Sequence, residues 1–341
     1  MRNNMHQVTL NYADGVSRSF DVAPGELIID AAIAAEIPVL YQCQSGSCSS
    51  CAAKLSTGDA QTRAGTSSTL LASEVAAGTR LLCVCEAKSD CSFDLAYTSE
   101  AGASVAHEVH AFIDAVEQIA SNVVRLTVDL AEGEWMAFRP GQFMQIEVPG
   151  LGVLRSYSPS SVGTDVPKLE FLIRILPDGA MSNFLSKVAE PEQVLKLKGP
   201  YGSFFLREEK KRAPHIFVAG GTGLAPILSM IDTLRQSGGR KPPMLLSFGC
   251  ATPDALFCLE DIELRKQWLP TLETRICVDR DPQEGMHHGN PVSALREGDV
   301  TPDTVAYLCG PQVMIDAATR RLIELGADPA NIYSEQFTPS N

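Results

Sequence analysis

Residues 43–51 read Cys43-Gln44-Ser45-Gly46-Ser47-Cys48-Ser49-Ser50-Cys51, and Cys83 follows 32 positions after the last of these cysteines. The spacing C-x4-C-x2-C with a distant fourth cysteine is that of plant-type ligands to a [2Fe–2S] cluster. The intervening residues are small, so the loop can wrap closely and turn backbone N–H groups towards the sulfurs. The sequence therefore predicts a cluster held by Cys43, Cys48, Cys51 and Cys83.

Two other interpretations of these cysteines stay open at this point. Structural zinc sites usually pair two short Cys or His motifs, whereas this stretch has one C-x-x-C and no histidine nearby. Buried free thiols are the second alternative. Cys85 lies two residues after Cys83, and on a strand the two would point to opposite faces, so one of them at most faces the cluster.

Outward from this loop, the chain divides into three blocks and one small, polar segment. Residues 1–97 begin with an alternating hairpin over 8–22 and a helix over 27–35, followed by a linker-like segment over 98–107. Short β-rich runs predict an antiparallel β-barrel over 108–207, and strand–helix alternation predicts a parallel sheet over 208–341. The expected fold is therefore multidomain, α+β and α/β. We interpret the mixed-charge run over 207–212 as a solvated connection.

Composition narrows the class of function. The 341 residues carry a formal net charge of −13, so we expect no nucleic-acid partner. No apolar run reaches membrane-spanning length, and the N-terminal residues are too polar for a signal peptide. We therefore expect no membrane association and a cytoplasmic location, where thiols stay reduced.

Two motifs in the predicted barrel suit a flat, phosphate-bearing ligand. Arg155-Ser156-Tyr157-Ser158 offers a guanidinium fork for phosphate and an aromatic platform for a ring. Gly179-Ala180-Met181-Ser182 precedes a short predicted helix over 183–188, whose first backbone N–H groups suit an anion. A helix cap formed by Ser182 is an ordinary alternative that the same residues allow.

The third block has its motifs at the ends of predicted strands. Gly220-Gly221-Thr222-Gly223-Leu224-Ala225-Pro226 follows a strand over 215–219 and opens a helix, where glycines let a backbone approach a pyrophosphate. Pro226 stands where the dinucleotide fingerprint has its third glycine, so a structural turn is the alternative. Cys309-Gly310-Pro311 with Met314 follows another strand, and Tyr333-Ser334-Glu335-Gln336-Phe337 lies near the C-terminus.

In this order, the motifs resemble those of the single-chain reductases of aromatic-ring-hydroxylating dioxygenases, of the benzoate dioxygenase reductase type, over the full length of the chain. The resemblance implies a β-grasp ferredoxin domain followed by the flavin and nucleotide domains of the ferredoxin–NADP reductase superfamily. It implies that FAD is bound by Arg155, Ser156, Tyr157, Ser158, Gly179, Ala180, Met181 and Ser182. It implies that the nicotinamide nucleotide is bound by Gly220, Gly221, Thr222, Gly223, Leu224, Ala225, Pro226, Cys309, Gly310, Pro311 and Met314. The catalytic side chains it implies are Ser158, Cys309 and Glu335.

Each of two further residues, Phe337 and Asp254, has two possible roles. Phe337 either shields the flavin face or closes a core at the end of the sheet. Asp254 either accepts a hydrogen bond from a ribose hydroxyl or is an ordinary loop residue. No Lys or Arg occurs over 242–264, near the end of the second nucleotide-domain strand, so we expect NADH rather than NADPH as the donor.

The predicted cofactors fit one another by electron count. A nicotinamide gives up two electrons as a hydride, a [2Fe–2S] cluster accepts one at a time, and a flavin can do both. We therefore expect a reductase that passes electrons from NADH through FAD and the [2Fe–2S] cluster to a terminal oxygenase, most simply a Rieske-type dioxygenase. A reductase of a soluble di-iron monooxygenase and a slowly turning redox sensor are the alternatives.

Overall fold

The computed structural model describes residues 5–70, 72–162 and 167–337. The chain forms two compact units, one of residues 1–106 with 200–203 and the other of residues 107–199 with 204–341.

The first unit is built on a five-stranded mixed sheet. The unit has seven strands, five of them in this sheet: β1 (His6–Asn11), β2 (Ser17–Val22), β3 (Ala52–Thr57), β4 (Ala60–Thr62), β5 (Thr79–Leu81), β6 (Cys85–Ala87) and β7 (Cys91–Asp94). Its helices are α1 (Ile28–Ala34), α2 (Ala72–Ala76) and α3 (Ser99–Gly102). The sheet order is β2-β1-β7-β3-β5, with β1 and β7 parallel, and β4 pairs separately with β6. Helix α1 buries its apolar side chains beneath this sheet, as the sequence predicts.

The segment that resembles a linker in composition forms one turn of helix, α3. Thr98 caps this turn by accepting a hydrogen bond from Ala101 N. Asp14 then accepts from both the N–H and the hydroxyl of Ser99, at 2.9 and 2.7 Å. Gly102 packs so closely on Pro38 that an added Cβ would lie 2.7 Å from its carbonyl oxygen. Between α3 and β8, only residues 103–106 lie outside regular secondary structure. The small residues over 98–102 pack closely in a helical turn, although their composition is typical of a linker.

The second unit begins with a six-stranded antiparallel barrel. Its elements are β8 (His107–Ala120), β9 (Val123–Leu130), β10 (Phe143–Val148), β11 (Val153–Tyr157), β12 (Lys168–Arg174), α4 (Ala180–Lys187) and β13 (Val194–Tyr201). The order β11-β10-β13-β8-β9-β12 is closed by a bridge between Pro159 and Phe171. Alternate residues of these strands point inwards and fill the barrel core.

A parallel sheet covered by helices completes the second unit. Its elements are β14 (His215–Gly220), α5 (Leu224–Gln236), β15 (Met244–Cys250), α6 (Leu259–Trp268), β16 (Leu272–Val278), β17 (His287–His288), β18 (Val305–Gly310), α7 (Gln312–Glu324) and β19 (Ile332–Gln336). The sheet order is β17-β16-β15-β14-β18-β19. From β14, the chain adds β15, β16 and β17 on one side of that strand. It then crosses over and adds β18 and β19 on the other side of β14. The crevice at this switch point is where ligands bind in sheets of this kind.

Two local expectations are wrong. Helix α4 begins at Ala180 rather than at residue 183, so the glycine motif forms its first turn. Arg207, expected in a solvated run, is 3% exposed because its guanidinium stacks on aromatic rings, as described below. None of the helices in the described ranges is long and apolar enough to cross a membrane.

Candidate functional site

The loop that carries three of the predicted ligand cysteines turns its backbone donors inwards. Gln44 and Gly46 adopt left-handed conformations, with φ of 52° and 80°. As a result, the N–H groups of Ser45 and Ser47 both donate to the sulfur of Cys43, at 3.4 and 3.3 Å. Such donors stabilise thiolates that ligate iron. The donor set of this loop therefore fits an iron–sulfur cluster.

Gly46 fixes the loop against the segment that follows it. A Cβ at this position would lie 2.1 Å from the carbonyl oxygen of Ser67. The carbonyl of Gly46 accepts a hydrogen bond from Thr69 N at 3.0 Å, and its N–H donates to the Cys83 sulfur. Glycine is therefore required here by close packing as well as by its positive φ.

The four predicted ligand thiols contact one another in pairs. Cys43 accepts hydrogen bonds from the thiols of Cys48 and Cys83, which hold the pKa of Cys43 far below its usual range. The Cys83 thiol likewise lowers the pKa of Cys51. In the part of the chain that the structure describes, no three His, Cys, Asp or Glu side chains converge as a site for one metal ion. Contacts between successive thiols fit a cluster of two irons, in which each iron takes two thiolates.

Cys85 lies apart from this chain of thiols. It is fully buried at the start of β6, whereas Cys83 lies in the turn Leu82–Val84 just before that strand. Burial raises the pKa of Cys85 to about 12, and the charged or thiol groups near it include Arg80 and Cys91. The arrangement favours Cys83 over Cys85 as the fourth ligand.

Strand β11 presents the first of the two barrel motifs. Arg155 and Tyr157 are two residues apart and share one face of the strand, whereas Ser156 is exposed on the other. Tyr157 packs partly against the barrel core, and burial raises the pKa of its hydroxyl. Ser158, at the end of the strand, is 3% exposed. An aromatic face and a guanidinium therefore lie side by side at the rim of the barrel, which suits a ring with a phosphate tail.

Helix α4 presents the second barrel motif through its backbone. Gly179 is the N-cap residue, and no described side chain caps this end of the helix. The Ser182 hydroxyl accepts a hydrogen bond from Leu176 N at 2.9 Å instead, so the alternative that Ser182 caps the helix is wrong. Met181 is buried in the barrel core. The first-turn N–H groups of α4 are thus available to an anion such as a pyrophosphate.

The three predicted catalytic side chains converge at the switch point. Ser158 Oγ donates to Glu335 Oε2 at 3.4 Å, and Glu335 is the direct partner of Cys309 across β18 and β19. Burial raises the pKa of Glu335 to about 8, and the hydrogen bond from Ser158 opposes that rise. Burial and the neighbouring Glu335 carboxyl raise the pKa of Cys309. Cys309 is therefore a neutral thiol, and Glu335 can gain or lose a proton near neutral pH.

The glycine loop after β14 combines one open glycine with two tightly packed ones. Gly221 has a φ of 54°, and no described atom lies within 4 Å of where its Cβ would be. By contrast, a Cβ on Gly223 would lie 2.2 Å from the carbonyl oxygen of Cys309, and one on Gly220 would lie 2.8 Å from Met314 Sδ. The open side of Gly221 is a cradle that fits a nucleotide phosphate, and the other two glycines hold the loop against β18.

Four of the remaining predicted nucleotide residues, Leu224, Ala225, Pro226 and Met314, are buried next to the glycine loop. Helix α5 buries the side chains of Leu224, Ala225 and Pro226 in the core of the sheet. Met314 packs against Gly220 and Gly310, and a Cβ on Gly310 would lie 2.8 Å from its Cε. These four residues therefore support the loop, and their contact with a nucleotide stays a prediction.

The C-terminal aromatic residue closes onto the same edge. Phe337 N donates to the Gly310 carbonyl at 3.2 Å, and its ring packs partly against the core of the nucleotide sheet. This position satisfies the core-closing alternative and leaves the flavin-shielding role as a prediction.

Asp254 is exposed in a short turn, Pro253–Ala255, beyond β15. The pKa of Asp254 is lowered mainly by a hydrogen bond with the Thr252 side chain. A hydrogen bond with Ser121 and the positive charge of Arg280 lower it further. The backbone N–H of Arg280 donates to the Ala251 carbonyl at 3.0 Å, so this cation lies beside the end of β15. Residues 242–264, in which we looked for a cation, do not include Arg280. Arg280 follows β16, which pairs in parallel with β15, so the two strands end at the same edge of the sheet.

Models of three known domains match the chain in the order of its blocks. The 2Fe-2S iron-sulfur cluster binding domain matches residues 11–88, the oxidoreductase FAD-binding domain residues 110–206 and the oxidoreductase NAD-binding domain residues 217–320. In fold, the chain is similar to the cytochrome P450 reductase GcoB of Amycolatopsis, with a TM-score of 0.72 and 24% identity over 97% of this chain and 99% of that one.

Curated relatives match nearly end to end. The toluate 1,2-dioxygenase electron transfer component of Pseudomonas putida is 32% identical over 98% of this chain and 99% of its own length. Methane monooxygenase component C of Methylosinus trichosporium is 37% identical over 86% of each chain. These matches span the thiol loop, the barrel and the nucleotide sheet together. The chain therefore belongs to the family of electron-transfer oxidoreductases in which a [2Fe–2S] ferredoxin domain is fused to FAD-binding and NAD-binding domains.

Proposed function

We propose that the chain oxidises NADH and delivers single electrons, through FAD and then the [2Fe–2S] cluster, to a separate oxygenase protein. The observation that carries this proposal is the convergence of Ser158, Glu335 and Cys309 at the switch point, beside the open cradle of Gly221. When bound, the flavin takes up the two electrons of a hydride and releases them one at a time.

In this proposal the barrel rim and helix α4 hold the flavin. Tyr157 stacks on the ring, and Arg155 and the first-turn N–H groups of α4 neutralise the pyrophosphate. Ser158 lies at the end of the same strand, and its hydroxyl would belong to the same binding site. Residues 108–207 form the flavin domain and residues 208–341 the nucleotide domain.

At the nicotinamide end, the chain supplies a neutral, closely packed surface. Cys309 keeps its proton and presents a small, uncharged side chain, which permits close approach of the nicotinamide to the flavin. Glu335 would hold or release a proton through its hydrogen bond with Ser158. Positioning of this kind accounts for large rate effects without a nucleophile.

Cys43, Cys48, Cys51 and Cys83 hold the cluster in residues 1–97. The support for this set is their pairwise contact and the donors of the loop to the Cys43 sulfur. These donors stabilise the reduced, more negative cluster and so influence its potential.

NADH is the proposed donor because Asp254 is a carboxylate at the edge where a 2′-phosphate would lie. Arg280 lies at that edge as well, so the preference depends on the balance between one carboxylate and one guanidinium.

The proposed partner is the Rieske-type oxygenase of an aromatic-ring-hydroxylating dioxygenase, in the cytoplasm. Relatives named as electron transfer components of toluate, anthranilate and 2-halobenzoate 1,2-dioxygenases support this choice. A monooxygenase partner of the soluble di-iron class is the second candidate. It is favoured by the 37% identity with methane monooxygenase component C and by the propane 2-monooxygenase reductases among the relatives.

Rapid mixing of the purified holoprotein with NADH tests the electron path. The flavin absorbance should bleach no later than that of the cluster, and flavin-free protein should leave the cluster oxidised. Cluster reduction by NADH in the flavin-free protein would refute the order. The oxygenase class is then tested by coupling the reductase to one purified Rieske-type dioxygenase and one di-iron monooxygenase. The component that forms product with stoichiometric NADH oxidation identifies the partner class.

A further inference from the structure

Arg207 is buried between two aromatic rings from different parts of the second unit. Its guanidinium carbon lies 4.1 Å from the ring centroid of Phe205 and 4.5 Å from that of Tyr333, and the residue is 3% exposed. Its backbone N–H also donates to the Tyr307 hydroxyl at 2.9 Å. A desolvated guanidinium over an aromatic face is a strong form of the cation–π contact. Arg207 therefore joins the chain segment after the barrel to the last two strands of the nucleotide sheet.

Tyr333 is held from its other side as well. Its ring stacks on that of Tyr307 in β18, with centroids 5.4 Å apart. Lys210 lies 6.0 Å from the ring centroid of Tyr333 and bonds to Asn331, just before β19. The strand that carries Tyr333 is thus fixed by side chains from two directions.

The strand held in this way is the one that carries Glu335. In the described sheet β19 is an edge strand, paired with β18 from Ile332 to Gln336. Tyr333 and Glu335 are two residues apart, so their side chains leave the same face of the strand. A slip of one residue would turn Glu335 to the opposite face and away from Ser158.

We propose that Arg207 is a positioning residue for hydride transfer, which fixes β19 through Tyr333 so that Glu335 meets Ser158 beside Cys309. This inference rests on the role of Glu335 in the proposed function. The groups that face Glu335 are Ser158 from the barrel and Cys309 from β18, and among the described residues no cation pairs with it. The proton affinity of Glu335 therefore depends on the position of β19 relative to Ser158 and Cys309.

The test uses the flavin-loaded full chain and the limiting rate of flavin reduction by NADH in rapid mixing. Arg207→Met keeps the length of the side chain and removes the cation, and we expect the rate to fall by about 10- to 100-fold, as expected for lost alignment. Arg207→Lys retains a cation over the rings and should recover most of the rate. In Arg207→Met, the pH midpoint of the rate should move towards the ordinary carboxyl range, because Glu335 becomes more solvated.

Arg235→Met is the matched control. Arg235 also lies over an aromatic ring, 4.8 Å from the centroid of Trp268, but on helix α5 and away from β19. Its loss should leave the rate and the pH midpoint unchanged. If Arg207→Met does not fold, Tyr333→Leu removes the opposite partner of the same contact and should give the same loss of rate.

Glu335→Gln separates this inference from the proposed function. If Arg207 acts through Glu335, the double variant should be no slower than Glu335→Gln alone. An unchanged rate and pH midpoint in Arg207→Met, with a slow Glu335→Gln, would overturn the positioning role and leave the proposed function standing. Additive losses in the double variant would overturn it too. A Glu335→Gln variant as fast as wild type would instead remove Glu335 from the proposed function, and the positioning role with it.

Discussion

Replacing Gly223 with alanine places a methyl group against the backbone on which Cys309 lies. The new Cβ would be 2.2 Å from the Cys309 carbonyl oxygen, 2.6 Å from its carbonyl carbon and 3.0 Å from Gly310 N. All three atoms belong to the backbone of β18, which has little freedom to move within a parallel sheet. We therefore expect either the glycine loop or the end of β18 to shift.

Gly221→Ala is the matched substitution in the same loop. Its Cβ would meet no described atom within 4 Å, but its φ of 54° penalises an L side chain. That penalty is about 1–2 kcal/mol. Overpacking against backbone at Gly223 costs about 1–3 kcal/mol, and the short distances place this site at the upper end. A unit of this size loses about 2–4 °C of melting temperature per kcal/mol, so Gly223→Ala should melt roughly 6–12 °C below wild type.

Gly223→Ala should lose more melting temperature, whereas Gly221→Ala should lose more affinity for NADH. Thermal melting measures the stability loss, and NADH titration in rapid mixing measures the apparent Kd and the limiting rate of flavin reduction. Gly221→Ala should weaken NADH binding while keeping most of the limiting rate, because its methyl group enters the cradle. Gly223→Ala should lower the limiting rate by displacing Cys309. Equal melting temperatures for the two variants, or unchanged NADH affinity in Gly221→Ala, would refute the division of roles within the loop.

Four further predictions concern the cluster and the titrating groups. Cys83→Ser should abolish the visible and paramagnetic signals of the cluster and Cys85→Ser should keep them; the reverse result would exchange the two assignments. Because the pKa of Glu335 is about 8 in the fold against 4.5 ordinarily, the folded state binds the extra proton, so flavin-free protein should lose stability as the pH rises from about 4.5 to 8. Glu335→Gln should lack that slope in pH-dependent melting, and an unchanged slope would contradict the raised pKa of Glu335. His215 has the opposite sign: burial lowers its pKa to about 4, against 6.5 ordinarily, and stability should fall as the pH drops from about 6.5 to 4. His215→Phe, which keeps the stack on Phe217 and Tyr307, should remove this acid sensitivity in the same melts, and its persistence would point to another group. Asp254→Asn should raise the catalytic efficiency with NADPH relative to NADH by leaving Arg280 unopposed, and an unchanged ratio would exclude this pair from nucleotide selection.

Much of the architecture follows from local patterns in the sequence. Strands β1 and β2 and helix α1 fall where the hairpin over 8–22 and the helix over 27–35 are predicted, because each buries a side-chain pattern of its own period. The cysteine spacing likewise anticipates the loop, because a glycine between the ligands allows the left-handed conformation that Gly46 adopts. In both cases the deciding interactions are close along the chain.

The features that sequence reasoning missed depend on tertiary pairing. Arg207 stands in a run of mixed charge, and its burial depends on Tyr333, far along the chain, as well as on the neighbouring Phe205. Arg280 reaches the end of β15 because β16 lies beside it in the sheet. The linker-like composition of residues 98–102 also gave no indication that Asp14 would accept two hydrogen bonds from Ser99. In each case a contacting residue lies far away in the sequence, so local sequence patterns do not predict the contact.

The anchoring of α3 sets the reach of the tether between the ferredoxin block and the barrel. Ser99 and Gly102 contact Asp14 and Pro38, and the N–H groups of Ala103 and Ser104 donate to carbonyls of α3, so two residues, 105 and 106, remain before β8. Fully extended, two residues span at most about 7 Å. Because the two blocks share one chain, electron transfer from the flavin to the cluster is intramolecular, and its rate does not depend on protein concentration.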